Sequence, residues 1–491
     1  MNDSENNTLA LSGLEPAAVF QFFAEISAIP RGSGKEKAIS DHLLSFARGL
    51  NLEVIQDPAL NIIIKKPGTQ GYESAPTVIL QGHMDMVWEK TLESHHQFET
   101  DPIPMVVEGD RLSARDTTLG ADNGIAMAYA MALLASTRIP HPPLEVLMTT
   151  EEEVGLKGAS QVNADHLSGK ILINLDAEEE GRFFVSCSGG TRCTLKMPLP
   201  FTPHGDEVLA AMALKISGLK GGHSGMDIHL GRANSNALMA RLLNALSDLE
   251  ISLVSVSGGA MVNAIPRSAQ AQILVPSDQV DALTQQVRDI ETAWAREFGE
   301  VDPGIRISCT PVQDAVTRKI PPAESARIIE FLGQIPSGVQ SMSPDIEGLV
   351  ESSLNFGVVS EEEGALVCQC SVRSCVNDIR DGICRRLEGI AQATGAQYEA
   401  GASYPAWEYR KDSRIRPLFE ETFQDLYGKA PEICAIHAGL ECGVLGDILG
   451  DMDMIAIGPD MFHVHTPEEY VSISSVKRSW EFLCAVLERL R

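Results

Sequence analysis

The sequence predicts an α/β protein with a mostly parallel sheet, interrupted by a second domain of α+β type. Short apolar strand candidates alternate with helical patterns over the first 189 residues, which is typical of a parallel sheet covered by helices. After Ser188-Gly-Gly190 the pattern changes to several strand candidates with two long helical stretches. The length of 491 residues also exceeds what one ordinary core supports, so at least two domains are expected.

The elements of the first region follow from hydrophobic periodicity and turn residues. Apolar residues at helical spacing predict helices over 16–29 and 36–50, and a nearly continuous apolar stretch predicts a buried helix over 125–136. Residues 88–115 are rich in His, Pro and acidic residues and are predicted to be irregular. Short apolar runs predict strands over 52–56, 61–66, 78–83, 144–149 and 170–175.

The second region is predicted to form a sheet with two helices, over 235–248 and 278–298. From residue 405 onward, two helices (417–427 and 474–490) and a short strand (454–457) could complete the first sheet. We therefore expect residues 1–189 and 405–491 to form one domain, interrupted by a second domain over 190–404. The strands predicted in the second domain lie over 191–197, 208–216, 271–275, 305–309 and 365–372.

Composition narrows the function classes. The net charge of −28 disfavours binding to nucleic acid or to anionic membranes. No apolar run approaches the roughly 20 residues that a membrane span needs, and the polar N-terminus lacks the features of a signal peptide. The ten cysteines form no CxxC, which predicts reduced thiols rather than disulfides or a cysteine zinc site. We expect a cytoplasmic protein.

Reactive side chains are predicted at one edge of the first sheet. His83 and Asp85 follow a buried strand and, being two residues apart, point to the same side. Alone, such a pair is also typical of a solvated loop. Parallel strands place their carboxyl ends at one sheet edge, where acidic groups from several segments would converge. The further candidates are Asp122, Glu152, Glu153 and Asp176.

A cluster of carboxylates at one edge predicts bound cations, because unpaired buried charges are costly. Mixed carboxylate and imidazole ligands suit zinc, cobalt or manganese, whereas structural zinc sites favour cysteine. The pattern therefore predicts a catalytic site for one or two metal ions. His465, in the loop that ends at Pro467, is the best candidate for a further imidazole ligand, and His463 is the alternative.

Eight short segments occur in order over residues 78–470, namely LQGHMDMV, TTLGADNGIAMA, TTEEEVGLKGA, LINLDAEEEG, KGGHSGMDIHLGRANS, VNAIPR, AIHAGLECG and HTPEEY. Each alone is a weak signal, but together and in this order they are specific. They resemble the zinc aminoacylase/carboxypeptidase peptidases and, within that family, the aminoacyl-histidine dipeptidases (Xaa-His or β-Ala-His dipeptidases). The resemblance implies a catalytic α/β domain with an inserted α+β lid domain used for dimerisation.

The resemblance implies a site for two zinc ions. His83 and Asp176 would bind one ion, Glu153 and His465 would bind the other, and Asp122 would bridge both. Cobalt or manganese could replace zinc.

The resemblance also implies catalytic roles. Asp85 would orient the His83 ring. Glu152, three residues before Gly155, would be the general base for a hydroxide that bridges the metals and attacks the scissile carbonyl. The alternative is that Glu151–Glu153 form a solvated acidic turn. His223 would stabilise the oxyanion, in the family often from a second subunit of a homodimer, whereas a purely local loop role is the alternative.

Substrate contacts are implied for Asn263, for Gly439 through its backbone, and for an arginine that holds the substrate carboxylate. Arg373 is the candidate because its planar guanidinium pairs with carboxylates. The wider family has Asp-x-Arg there, whereas Ser371 stands in place of the Asp, a departure that the aminoacyl-histidine dipeptidases share. A strand arginine that faces solvent is the alternative.

We therefore expect a metal-dependent dipeptidase that hydrolyses small dipeptides, with Xaa-His dipeptides including β-alanyl-histidine as the expected substrates. The enzyme alternatives are a tripeptide aminopeptidase and an N-acyl-amino-acid deacylase. A non-catalytic binding member of the family would lack a ligand or the base, but all six positions are filled. They are His83, Asp122, Glu152, Glu153, Asp176 and His465.

Overall fold

The computed structural model describes residues 10–205 and 208–491, which divide into two compact units. The first unit comprises the chain up to Ser186 together with Tyr409–Ala435 and Leu440–Arg491. The second unit comprises Cys187–Glu408 and the short segment Ile436–Gly439. This short segment differs from the sequence analysis, which assigned all of 405–491 to the first domain.

The chain up to Cys187 forms strands β1–β8 and helices α1–α3. The hairpin β4–β5 lies in the stretch that was predicted to be irregular, because each of its strands has only four residues and gives little alternation to detect. The elements are α1 (Ala17–Ile26), α2 (Lys37–Gly49), β1 (Glu53–Gln56), β2 (Ile62–Lys66), β3 (Val78–His83), β4 (Met105–Glu108), β5 (Arg111–Ala114), α3 (Ala121–Ala135), β6 (Leu144–Thr149), β7 (Ile171–Asn174) and β8 (Arg182–Cys187).

The second unit contains more helix than the sequence predicted. Besides α4 and α5 it has α6 and α7, so the expectation of only two helices was wrong. Helix α7 contains Gly382 and Gly389, which disfavour a helix and hide it from a propensity-based prediction. The elements are β9 (Gly189–Pro198), β10 (Thr202–Pro203), β11 (Leu209–Ser217), β12 (Gly222–His223), α4 (Ser235–Ala245), β13 (Ser252–Gly258), β14 (Ala264–Ile265), β15 (Ala269–Pro276), α5 (Val280–Glu297), β16 (Arg306–Pro311), β17 (Arg318–Lys319), α6 (Pro322–Gln334), β18 (Gly338–Met342), β19 (Val350–Glu362), β20 (Ala365–Ser374), α7 (Asn377–Thr394) and β21 (Gln397–Tyr404).

The last part of the chain returns to the first unit. It includes a helix, α9, that the sequence analysis did not predict. This helix has nine residues and is buried at most positions of its first half, so it shows little periodicity. The elements are α8 (Ile415–Tyr427), β22 (Glu432–Ile436), α9 (Glu441–Leu449), β23 (Asp453–Ala456), β24 (Met461–Phe462), β25 (Tyr470–Ser472) and α10 (Ile473–Arg489).

The large sheet of the first unit has the strand order β1-β2-β6-β3-β7-β23-β8-β22. Its central strands β6, β3, β7 and β23 are parallel, whereas β1, β2 and β8 pair antiparallel with their neighbours. The predicted α/β class is confirmed, with the parallel strands at the centre. Because β6, β3 and β7 run in the same direction, the residues that follow them meet at one edge of the sheet.

Helix α3 crosses the core of the first unit next to α1. Nearly all of its side chains are buried, as its apolar sequence predicted. At its start, Asp122 (φ −81°, ψ 109°) and Asn123 (φ −111°, ψ 37°) depart from helical dihedral angles. The regular helix therefore begins after Asn123, and Asp122 lies in an irregular turn just before it.

The second unit is built on an antiparallel sheet with the order β16-β11-β15-β13-β19-β20-β9-β21, and β18 pairs with β19. Its core is formed by the apolar faces of this sheet and of helices α4 to α7. This arrangement is the α+β type that the sequence predicted.

The sequence analysis made predictions about membrane spans and about the cysteines. Within residues 10–205 and 208–491, no helix combines the length and the apolar character that a membrane span requires. All ten cysteines are free thiols, and most are buried.

Candidate metal centre

The ends of three parallel strands deliver the predicted side chains to one place in the first unit. His83 is the last residue of β3, and Asp176 follows β7 by two residues. The Nε2 atom of His83 lies 3.0 Å from Oδ1 of Asp122 and 3.4 Å from Oδ1 of Asp176. These three residues form the first candidate ligand group.

A second group shares one residue with the first. The Nε2 atom of His465 lies 3.1 Å from Oδ2 of Asp122 and 2.9 Å from Oε1 of Glu153. Asp122 thus offers one carboxylate oxygen to each group. His463, the alternative imidazole, belongs to neither group, and its ring centroid lies 6.1 Å from that of Tyr470.

The donor atoms of these residues suit a divalent metal ion. Carboxylate oxygens and imidazole nitrogens of His83, Asp122 and Asp176 lie within 4.8 Å of one another, and so do those of Asp122, Glu153 and His465. Burial raises the pKa of Asp176 to about 6, and the nearby carboxylates of Asp122 and Glu153 act in the same direction, whereas His83 opposes this shift. A cation would stabilise these clustered carboxylates.

Asp85 lies behind the ligands and contacts two of the segments that carry them. Its Oδ1 is 3.4 Å from Nδ1 of His83 and accepts a hydrogen bond from the backbone N–H of Glu152 at 3.0 Å. Its Oδ2 accepts from the backbone N–H of Glu153 at 3.3 Å and from the hydroxyl of Ser33 at 2.8 Å. Asp85 therefore contacts the acidic turn as well as the His83 ring, whose Nδ1 lies closer to the backbone oxygen of Asp85, at 3.1 Å, than to its carboxylate.

The three consecutive acids after β6 have different surroundings. Glu151 pairs with Lys157 at 2.8 Å, which is the solvated role that the alternative interpretation gave to all three residues. Glu153 has a side chain only 7% exposed beside His465. Burial raises the pKa of Glu152 well above its ordinary value, and the neighbouring His83 opposes this shift. Glu152 is thus a half-buried residue next to the candidate ligands, and its carboxyl group has a raised pKa.

A buried polar network under the strand ends was missed by the sequence analysis. The Oε2 atom of Glu441, at the start of α9, accepts hydrogen bonds from Gln81 (2.5 Å) and Thr149 (2.7 Å). Asn174 in turn donates to Oε1 of Gln81 at 2.6 Å. Burial raises the pKa of Glu441 to about 8. The available signal was the presence of Gln81 and Asn174 inside otherwise apolar strands.

His223 lies in the second unit, on the two-residue strand β12. Its Nδ1 accepts hydrogen bonds from the backbone N–H groups of Gly225 (3.2 Å) and Met226 (3.1 Å). In the neutral ring the proton is therefore on Nε2, which makes that atom a donor. Burial and the positive charge of Arg373 lower the pKa of His223, which favours this neutral form.

Arg373 is buried in the second unit, with 9% exposure, so the alternative of a solvent-facing arginine was wrong. Its cross-strand neighbour is Gly190, where an added Cβ would lie 2.6 Å from the hydroxyl oxygen of Tyr404, so the glycine leaves room for that tyrosine. One Nη1–H donates to the hydroxyl of Tyr404 at 2.9 Å. Tyr404 also packs against Gly439, where an added Cβ would lie 2.8 Å from the tyrosine ring. The glycine permits this close approach.

Asn263 is exposed and lines a cavity of about 990 Å³ in the second unit, together with His223. Arg373 and Gly439 are not among the residues that line this cavity. His223 and Asn263 thus line one cavity of the second unit, and Arg373 contacts Tyr404, which packs against Gly439.

Comparisons with known proteins identify similar chains. The chain is 38% identical over 483 residues to the cytosol non-specific dipeptidase of Escherichia coli (strain K12), covering 98% of this chain and 99% of that protein. The crystal structure of aminoacylhistidine dipeptidase from Vibrio alginolyticus matches with a TM-score of 0.94 at 38% identity, covering 98% of each chain.

A more distant structure shares the fold. The aminopeptidase PepT from Bacillus cereus ATCC 10987 matches with a TM-score of 0.55 at 14% identity, covering 97% of this chain and 99% of that one. The profile of peptidase family M20/M25/M40 matches residues 79–489, a span that contains every candidate ligand. The chain therefore belongs to peptidase family M20/M25/M40.

Proposed function

We propose that the protein is a cytoplasmic dipeptidase that works with two divalent metal ions. The observation that carries this proposal is the pair of ligand groups that share Asp122. The similarity to two dipeptidases over nearly the whole chain supports the class of substrate. The name of the cytosolic relative and the free thiols support the location.

His83, Asp122 and Asp176 would hold one metal ion, and Asp122, Glu153 and His465 would hold the other. When bound, the ions supply Lewis acidity, which lowers the pKa of water and polarises the scissile carbonyl. Zinc suits this set of oxygen and imidazole ligands, and cobalt or manganese are the other candidates. Asp85 keeps the His83 ring in place through its contact with Nδ1.

Glu152 is the proposed general base. Its carboxylate accepts a proton from the attacking water and donates it to the leaving amine. A carboxyl group with a raised pKa suits both steps, because it holds a proton more readily than an exposed glutamate does.

The second unit supplies the proposed contacts to the substrate. Nε2–H of His223 is a donor suited to the carbonyl oxygen as it gains negative charge. Arg373 is buried, and among residues 10–205 and 208–491 its Nε–H has no hydrogen-bond partner, so the guanidinium is available to a substrate carboxylate. Asn263 and the backbone of Gly439 are the further proposed contacts. Small dipeptides, including Xaa-His and β-alanyl-histidine, are the proposed substrates.

We also propose a homodimer formed through the second unit. Met226 and Met261, near His223 and Asn263 in sequence, are 53% and 61% exposed, and a protein interface would cover such apolar side chains. Mixing the inactive variants His223→Ala and Glu152→Gln tests whether His223 acts across subunits. Restored activity in the mixed dimers would show action across subunits, whereas no restoration would place His223 in its own subunit's site.

The test of the function is hydrolysis of a substrate panel by the metal-loaded protein. The panel contains β-alanyl-histidine, alanyl-histidine, alanyl-leucine, a tripeptide and an N-acetyl amino acid. We expect cleavage of the dipeptides, lost on chelation and in Glu152→Gln. Cleavage of only the tripeptide or only the acetylated compound would overturn the dipeptidase assignment in favour of the aminopeptidase or the deacylase.

A further inference from the structure

Glu469, which is outside both ligand groups, contacts the backbone of a segment that carries a candidate ligand. Glu469 follows His465 by four residues in the same loop and is only 2% exposed. Its carboxylate accepts hydrogen bonds from successive backbone N–H groups that lead into α3. Oε2 accepts from Leu119 (2.7 Å) and Gly120 (3.0 Å), and Oε1 accepts from Ala121 (2.8 Å) and Asp122 (3.5 Å).

These contacts matter because Asp122 is not held by the helix itself. Its dihedral angles and those of Asn123 are not helical, so the regular hydrogen bonds of α3 do not fix its backbone. The N–H groups at the start of a helix also lack partners within the helix, and they favour a negative charge. The carboxylate of Glu469 satisfies them and ties the loop of His465 to the turn of Asp122.

Arg31 contacts the backbone carbonyl oxygens near His83 and near Asp122. It is 1% exposed, and its Nη1 donates to the carbonyl oxygens of Met84 and Asp85, each at 3.2 Å. Its Nη2 donates to the carbonyl oxygen of Gly120. A guanidinium has enough donors to span these carbonyls at once, whereas a lysine ammonium is a compact point charge. Arg31 thus connects the segment after His83 with the turn before Asp122.

We propose that Glu469 and Arg31 are positioning residues that set the spacing of the two metal sites. Glu469 couples the His465 loop to Asp122, and Arg31 couples Asp122 to the strand end that carries His83. The inference rests on the proposed function, because this spacing matters only if cations bind there. Asp122 belongs to both ligand groups, so a shift of its turn weakens both sites together.

The test is calorimetric titration of the metal-free protein with Zn²⁺ alone, in competition with a chelator. In Glu469→Gln the amide NH₂ cannot accept the hydrogen bonds that one carboxylate oxygen accepts, so two backbone N–H groups lose their partner. We expect Zn²⁺ binding at both sites to weaken about 10- to 100-fold, the usual effect of losing a group that orients metal ligands. Arg31→Lys is expected to act in the same direction.

The matched control is Glu468→Gln, which makes the same change at an exposed neighbouring position and should leave Zn²⁺ affinity unchanged. Leu133→Ala controls for stability, because Leu133 is fully buried on α3 and outside the site. It should lower the unfolding midpoint without weakening Zn²⁺ binding. If Glu469→Gln does not fold, Glu469→Asp keeps the charge but shortens its reach, and a smaller loss of affinity is expected.

The outcomes separate this inference from the proposed function. If the wild type binds no Zn²⁺ at the cluster, the proposed function fails and the inference fails with it. If the wild type binds two ions and a folded Glu469→Gln binds them equally well, the positioning role is overturned while the proposed function stands. Weaker binding in Glu469→Gln but not in Glu468→Gln or Leu133→Ala supports the inference.

Discussion

Two imidazoles, one in each unit, have opposite electrostatic surroundings. His465, in the first unit, hydrogen-bonds to Asp122 and Glu153, and these carboxylates raise its pKa to about 11 in the absence of metal. His437, in the second unit, is buried near Arg373, and burial together with that positive charge lowers its pKa to about 3. The surroundings therefore favour the cationic imidazole at His465 and the neutral imidazole at His437.

This contrast indicates a division of tasks. The acidic groups around His465 favour cations, whether protons or metal ions. The second unit instead contains Arg373 and neutral imidazoles, which in the proposed mechanism would donate to the substrate carboxylate and to the oxyanion. Each of the following variants changes one residue of the first or the second unit, from the largest expected effect to the smallest.

Asp122→Asn removes the carboxylate that both ligand groups share. We expect the metal content to fall below two ions per chain and the activity to drop by at least about 10³-fold, because metal polarisation contributes several kcal/mol to transition-state stabilisation. The measurements are metal analysis of the dialysed protein and hydrolysis of alanyl-histidine. Two tightly bound ions in this variant would contradict the bridging role.

Glu152→Gln keeps the five proposed ligands but removes the proposed base. The value of kcat should fall by about 10²- to 10⁴-fold, since that is the usual contribution of general acid–base catalysis. The metal content should stay at the wild-type level, which separates this variant from Asp122→Asn. Full activity in Glu152→Gln would transfer the role of base to another group.

These two variants probe the part of the molecule that the sequence predicts best. The apolar runs predict parallel strands, and the carboxyl ends of parallel strands lie at one edge of a sheet. The sequence alone therefore leads us to expect His83, Glu153 and Asp176 at that edge. The preference for His465 over His463 came from the loop that follows the last short strand. The structure places these residues as the sequence suggested, and their roles as ligands are the subject of the experiments.

Other parts of the site could not be predicted from local sequence. Glu469 and Arg31 act through hydrogen bonds to backbone groups distant in the chain, and such contacts leave no periodic pattern. The contact between Arg373 and Tyr404 depends on the register of two strands that both pair with β9. Helix α6 has an apolar stripe of Ile328, Ile329 and Leu332 that the sequence analysis overlooked, whereas α7 contains Gly382 and Gly389, which disfavour a helix.

Arg373→Lys tests the second unit directly. A lysine keeps the charge but loses the planar pair of donors, so KM for dipeptides should rise about 10- to 100-fold with a smaller effect on kcat. The control substrate is a dipeptide amide, which lacks the carboxylate and should be affected less by the substitution. An equal rise in KM for both substrates would show that Arg373 does not bind the carboxylate.

His437→Gln should change the pH dependence of stability. The pKa of His437 is about 3 in the folded protein and near 6.5 when unfolded, so the unfolded state binds the extra proton between these values. The wild type therefore loses free energy of unfolding as pH falls from about 6.5 toward 3, by up to about 1.4 kcal/mol per pH unit from this residue.

The variant should lose that part of the slope, which urea unfolding at pH 4 to 6.5 measures as the difference between the two proteins. The imidazole hydrogen-bonds to Ser353 at 2.7 Å, a contact that glutamine can replace, so the variant should still fold. Parallel stability curves for the two proteins would show that His437 titrates normally.

The most direct test of the central claim is a crystal structure of the zinc-loaded protein with anomalous scattering recorded at the zinc edge. Two anomalous peaks are expected in the first unit, one contacting His83 and Asp176 and the other contacting Glu153 and His465, with Asp122 between them. No peak at this cluster, or zinc bound only elsewhere, would contradict a dinuclear metal centre and the mechanism built on it.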